Sequence, residues 1–305
     1  MTGGGPFAAL LDGGVRLHLQ HGPIDLIIGA DAQTATGRQR AFAAAAARFD
    51  GLLAELVAEL PLLRAGVTPA LPAPQGPIAC RMHAAVRPHA RDGFITCMAA
   101  VAGAVADEIL AAMTVAAPLS RAYVNNGGDI AIHLAPGARF TSAMAGLDGR
   151  DLGRIRLAAG DGIRGIATSG AGGRSFSLGI ADSVTVLART AAEADAAATM
   201  IANAVDLPDH PGIRRERACD LQPDSDLGAR RVVTRVPPLA PHDITRALDA
   251  GAAHAQGLLA RGLIAGAALF LQGKTRLAGD GFTGLVQIDE VAHAQGRGAQ
   301  AAACA

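Results

Sequence analysis

Asp195 and Thr199 lie four residues apart in Ala194-Asp195-Ala196-Ala197-Ala198-Thr199. In a helix that spacing puts carboxylate and hydroxyl on one face. Asp is a poor helix-interior residue, because its short polar side chain competes for backbone groups, so its presence asks for a reason. Two hard oxygens on an alanine surface suit Mg²⁺, which takes few protein ligands and keeps positions open for phosphate. A polar stripe on an amphipathic helix has the same spacing, and on spacing alone that plainer reading is preferred.

Asn126-Gly127-Gly128-Asp129 is a second candidate. Glycines between two strands let backbone amides approach an anion, although an Asn-Gly hairpin turn looks the same in sequence. Thr168-Ser169-Gly170-Ala171-Gly172-Gly173-Arg174-Ser175 is a third: amides, hydroxyls and Arg174 could hold a phosphate, and an ordinary surface loop is at least as good a reading. Cys80, His83, His89 and Cys97 suggest zinc, but their intervals do not match structural zinc spacings. No GxSxG elbow, Walker loop or helix-opening GxGxxG is present.

The elements that must position these residues are legible from periodicity. Residues 15–19 and 24–28 read as a hairpin turning at His21-Gly22-Pro23. Phe42, Ala46, Phe49, Leu53, Leu56 and Leu60 form one apolar stripe, predicting a continuous helix ended by Pro61, followed by an irregular Pro-rich stretch at 69–77. A second helix is expected over 98–112, burying Val101, Val105 and Ile109, with Asp107 on another face. Strands are expected at 122–125, 130–134, 140–145, 154–158, 165–168 and 184–187. Thr190-Ala-Ala-Glu193 is a capping box starting a helix that runs to about 205. Residues 208–226 read as a long surface loop, before a strand at 232–236, a helix at 244–259 and a strand at 264–271. Paired strands with helix pairs between them favour an α+β fold with antiparallel sheets over a doubly wound one. One domain over 1–290 and a disordered tail over 291–305 are expected.

Composition narrows the function classes. With 27 basic against 27 acidic side chains, no Trp and one Tyr, the chain lacks both the charge and the stacking platforms of a nucleic-acid binder. Four scattered cysteines suit a reducing compartment. The uncharged apolar runs at 93–106 and 262–273 fall short of a membrane span, and the N-terminus carries no secretory pattern. A cytoplasmic protein with no membrane association is expected; a homo-oligomer is left open.

Taken in order, Gly127-Gly128-Asp129, Ser169-Gly170, Val184-Thr185-Val186 and Ala194 to Thr199 resemble the ApbE family of FAD-dependent protein FMN transferases. Upstream, Ala102-Gly103-Ala104-Val105-Ala106-Asp107 is similar to that family's Lys-Gly-x-x-x-Asp helix. The resemblance covers roughly residues 95–205. It implies a T-fold-like architecture and a flavin nucleotide, FAD, near Asp107, Asn126, Gly127, Gly128, Asp129, Thr168, Ser169 and Gly170. It also implies Mg²⁺ on Asp195, Thr199 and the Ala99 carbonyl, and a protein acceptor. Two departures stand out. Ala102 occupies the Lys position, and Phe176-Ser177-Leu178-Gly179-Ile180-Ala181-Asp182 replaces the family's His-Ile-Ile-Asp-Pro segment. The expected function is therefore flavin-nucleotide binding, as a degenerate Mg²⁺-dependent FMN transferase or FAD pyrophosphatase. The alternative is a non-catalytic ligand-binding or assembly factor linked to sulfur assimilation, for which Cys97 is the only supporting residue.

Overall fold

The computed structural model of the protein describes residues 5–145, 151–173, 175–279 and 282. The chain opens with β1 (Phe7–Leu11), β2 (Arg16–His21) and β3 (Ile24–Ala32). Helices α1 (Ala35–Phe49), α2 (Leu52–Ala58), α3 (Leu60–Leu63), α4 (Pro77–Val86) and α5 (Val101–Ala116) follow. Next come β4 (Leu119–Asn126), β5 (Asp129–Leu134), β6 (Arg139–Ala145), β7 (Asp151–Ala158), β8 (Gly165–Ser169) and β9 (Ser183–Ala188). The remainder is α6 (Ala191–Ala204), β10 (Arg214–Arg217), α7 (Ala218–Leu221), β11 (Arg231–Arg235), α8 (Pro241–Ala260), β12 (Gly266–Leu271) and β13 (Lys274–Ala278).

Nine strands form one sheet in the order β1-β2-β3-β4-β5-β8-β9-β12-β13, with antiparallel neighbours throughout. Strand alternation divides the apolar side chains between its two faces. Leu17, Leu19, Leu26, Ile28 and Val124 pack with helical residues such as Phe42, Met82, Ile109 and Met113. Ile130, Ile132 and Leu134 face the other way and meet Ile155 and Leu157 of the β6–β7 ribbon. A second helical cluster joins α6 and α8 to β9 and β12 through Val186, Ile201, Leu248 and Leu269. The fold is therefore α+β, antiparallel sheet with packed helices, as the paired strands predict.

Some expectations need correction. The stripe from Phe42 to Leu60 is not one helix: it breaks after Phe49, where Gly51 adopts φ 77°. Pro61 does not end a helix but sits in the first turn of α3, where its missing N–H costs nothing. The helix expected from 98 begins at Val101, behind a 3₁₀ turn at Cys97–Ala100 capped by Thr96. Half of the expected capping box forms: Thr190 accepts from the Glu193 N–H, while the Glu193 carboxylate pairs with Arg189. The supposed loop 208–226 contains β10 and α7. The run Cys97–Ala116 is long and apolar enough to cross a membrane by length and composition, yet Gly103 to Ala106, Ile109, Leu110 and Met113 are buried within the fold. The tail 291–305 and Arg174 lie outside the described residues.

Candidate functional site

Helices α5 and α6 pass each other with their first turns in contact, and each carries a carboxylate that serves the other. Asp107 accepts hydrogen bonds from the N–H groups of Ala191 and Ala192 at 3.1 and 2.9 Å, so α5 caps the start of α6. Asp195 Oδ2 accepts from the Gly103 N–H at 3.1 Å, so α6 caps the start of α5. Each helix leaves its first amides without internal partners and with a partial positive charge, which a carboxylate satisfies on both counts. Alanines make the approach possible. A side chain at Gly103 would place its Cβ 2.3 Å from the Ala191 carbonyl oxygen. Glycine inside α5 is thus required by the crossing and is not a helix defect.

The 126–129 turn reaches the same place. Gly127 and Gly128 have φ of 65° and 115°, as a two-residue hairpin loop needs. The Asn126 Nδ2 donates to the Ala102 carbonyl at 3.1 Å, tying the turn to the first turn of α5. Asp129 Oδ1 accepts from the Thr168 N–H at 3.1 Å, extending the short β5–β8 pairing by a side chain. Thr168 also shares a 2.9 Å hydroxyl contact with Thr185. Ser169 pairs with Val184 at the end of β8, and Gly170 follows it at φ 148°, where a Cβ would lie 2.7 Å from the Asp182 carbonyl oxygen.

Electrostatics single out Asp195. Burial pushes its carboxyl well above the usual range, and the nearby Asp129 carboxylate adds to this, while the Gly103 and Ala102 amides pull it down and Asp107 pushes it up again. For Asp107, burial raises the carboxyl to about 6 against the pull of the Ala192 and Ala191 amides. Thr199 is half-buried one turn beyond Asp195. Ala99 sits in the 3₁₀ turn, which packs against α6. Asp195 and Thr199 are one turn apart on α6, and the 97–100 turn is a neighbour of that helix.

Sequence reasoning missed the reciprocal capping. It treated Asp107 and Asp195 as ligands only, and the one available signal was Gly103 inside an alanine-rich helix. Cys80, His83, His89 and Cys97 do not come together as a metal-binding group: among the described residues no cluster of three or more His, Cys, Asp or Glu side chains could hold a metal. Cys97 is 1 % exposed, and burial pushes its thiol up to about 11, which disfavours the nucleophilic thiolate. Two open grooves, of about 450 and 340 Å³, lie elsewhere, one along β10 and β11 and one beside Tyr123 and Phe140.

Among known proteins, the chain is 40 % identical over 145 residues to a UPF0280 protein of Methanopyrus kandleri, covering 45 % of this chain and 55 % of that protein. It is 38 % identical over 145 residues to a UPF0280 protein of Methanothermobacter thermautotrophicus, covering 44 % and 51 %. The chain thus spans about half the length of the curated relatives it matches. Solved structures with a distant likeness include the flavin transferase ApbE from Vibrio cholerae, at 13 % identity and TM-score 0.40 over 89 % of this chain and 99 % of that one. The apo flavinyl transferase ApbE of Pseudomonas stutzeri gives 13 % and 0.41 over 91 % and 94 %. The family model described as "AbpE bacteria" matches residues 8–277, nearly the full described length, and the chain belongs to that ApbE-like family.

Proposed function

We propose that this protein binds a flavin nucleotide, FAD, together with Mg²⁺ held by the Asp195 carboxylate, the Thr199 hydroxyl and the Ala99 carbonyl. The observation that carries this reading is convergence: the 126–129 turn and the second turn of α6 both bond to the first turn of α5. The donor set fits the ion. Its three oxygens are hard, and few enough to leave positions for phosphate. Asp195, driven toward its neutral form by burial and by Asp129, is a group whose charged form a cation would stabilise. Gly103 occupies Oδ2, and a carboxylate has further lone pairs for a metal.

Around the nucleotide, the residues divide by what they already hold. Asp107 and Asn126 are committed to the helix starts and act at one remove, by keeping α5 and α6 in place. Asp129 and Thr168 brace the junction of β5 and β8. The amides of Gly127 and Gly128 and the Ser169-Gly170 corner are then the groups offered to the ligand. Mg²⁺ bound here would neutralise pyrophosphate charge as FMN is transferred to a protein Thr or Ser hydroxyl.

Transfer is expected to be weak. Ala102 supplies no cation where the family has Lys, and its backbone is used instead by Asn126. Loss of a positioned cation or proton-transfer group costs roughly 10² to 10⁴ in rate. The test is incubation with FAD, Mg²⁺ and a Thr-containing acceptor, followed by mass spectrometry for covalent flavin. Traces or none are expected; transfer as fast as by a complete ApbE enzyme would overturn the degenerate reading.

A further inference from the structure

The segment between β10 and β11 folds back on itself and then grips a different part of the molecule. The Ala218 N–H donates to the Arg230 carbonyl and the Cys219 N–H to the Gly228 carbonyl, both at 2.9 Å, closing residues 218–230 into a compact loop. The loop meets the body largely through polar contacts. Arg64 pairs with Asp224 at 3.0 Å, the Arg230 guanidinium lies 3.1 Å above the Phe94 ring, and the Thr96 hydroxyl donates to Asp226 Oδ2 at 2.5 Å. Two of these three contacts fall on residues 94–96, directly before the 3₁₀ turn that carries Ala99.

Thr96 is the hinge of that turn. It is 2 % exposed, its hydroxyl accepts the Met98 N–H at 3.2 Å, and its carbonyl accepts the Ala99 N–H at 3.3 Å. On the far side a bridge to Gly66 and the Val67 N–H to Ile95 carbonyl bond at 2.8 Å pin the same strand of chain. A hydroxyl that donates to a carboxylate is fixed in rotation and becomes a better acceptor. Asp226 therefore orients the Thr96 hydroxyl toward Met98, and the two together set the backbone at Ala99.

We infer that loop 218–230 is a strap that positions the Ala99 carbonyl for cation binding, with Asp226 and Thr96 as its positioning residues. This rests on the Mg²⁺ and FAD reading given above. It explains why a surface loop far along the chain places a ring contact and a charged hydrogen bond directly before one short turn.

The experiment uses the full chain and the variants Asp226→Asn, Thr96→Ser and Thr96→Val. Hydrogen exchange is read on a peptide covering residues 97–100, and FAD binding is titrated with Mg²⁺. In Asp226→Asn and Thr96→Val, exchange at 97–100 should rise while α8 and β12 stay protected. The Mg²⁺ midpoint for FAD binding should weaken by about tenfold, the scale of one hydrogen bond to a charged group. Thr96→Ser, which keeps the hydroxyl, should restore both. Unchanged exchange in Asp226→Asn overturns the strap. Faster exchange with an unmoved Mg²⁺ midpoint also overturns it, since the contact would then only support structure. If the unsubstituted chain shows no Mg²⁺-dependent FAD binding, the flavin reading itself falls and takes the strap's role with it.

Discussion

Asp195 shows how one side chain can carry two duties. Its carboxylate closes the start of α5 through Gly103, and in the proposed site it also faces the metal. From the sequence, removing it from an alanine surface would cost little; the structure corrects that. Asp195→Ala strands a buried helix-start amide, and we expect a loss of about 1–3 kcal/mol, read as a lower urea midpoint. Asp195→Asn keeps an acceptor and should be closer to the unsubstituted chain in stability while still weakening Mg²⁺. If both substitutions are equally harmless to folding, the capping role is wrong. Gly103→Ala is the sharper structural test. Its Cβ would lie 2.3 Å from the Ala191 carbonyl oxygen, backbone that cannot move without shifting α6. A cost of roughly 3 kcal/mol or more is expected, well beyond the usual benefit of alanine over glycine in a helix. A variant as stable as the parent would contradict the close crossing.

Among the elements, the contact between α8 and the turn at Arg87–His89 holds the clearest pH dependence. His89 is 2 % exposed; burial, with Arg261 and His254 beside it and Asp92 opposing, pushes it down to about 4. His254, itself lowered mainly by burial, acts in the same sense. The unfolded chain takes up a proton at His89 below about 6.5, whereas the folded chain refuses it until about 4. The contribution is thus complete above about 6.5 and lost as pH falls through that window, by as much as about 3 kcal/mol. Asp107, raised to about 6, has the opposite sign: the folded chain holds its proton longer, so its contribution fades as pH rises from 3.8. His89→Gln should remove the rise that His89 adds to the urea midpoint between pH 4 and 6.5, turning the slope toward the falling one set by Asp107, and an unchanged slope would show that His89 is not the group. Element existence was largely legible because period and caps are local: Thr190 and the 126–129 hairpin appear where the sequence puts them. The break at Gly51, β1 and β13 were not legible, since a left-handed glycine and edge strands with exposed residues such as Phe7 and Leu277 leave no clean period.

For the molecule as a whole, the proposed function rests on distant segments meeting at one helix crossing. Motif order made that grouping readable: residues near 103, 107, 126–129 and 195 do assemble. The reason they assemble was not readable, because a carboxylate on one helix capping another is a tertiary contact with no local signature. The strap was invisible for the same reason, its partners being separated by some 130 positions of chain, as Thr96 and Asp226 are. The central claim is that this crossing is a Mg²⁺-dependent flavin-nucleotide site, and one titration addresses it most directly. The purified chain is titrated with FAD with and without Mg²⁺, alongside Asp195→Asn, following flavin fluorescence and confirming the fold by circular dichroism. The account predicts binding that tightens at least tenfold with Mg²⁺ in the parent and loses that dependence in the folded variant. Binding indifferent to Mg²⁺, equal Mg²⁺ dependence in Asp195→Asn, or no FAD binding at all would contradict it.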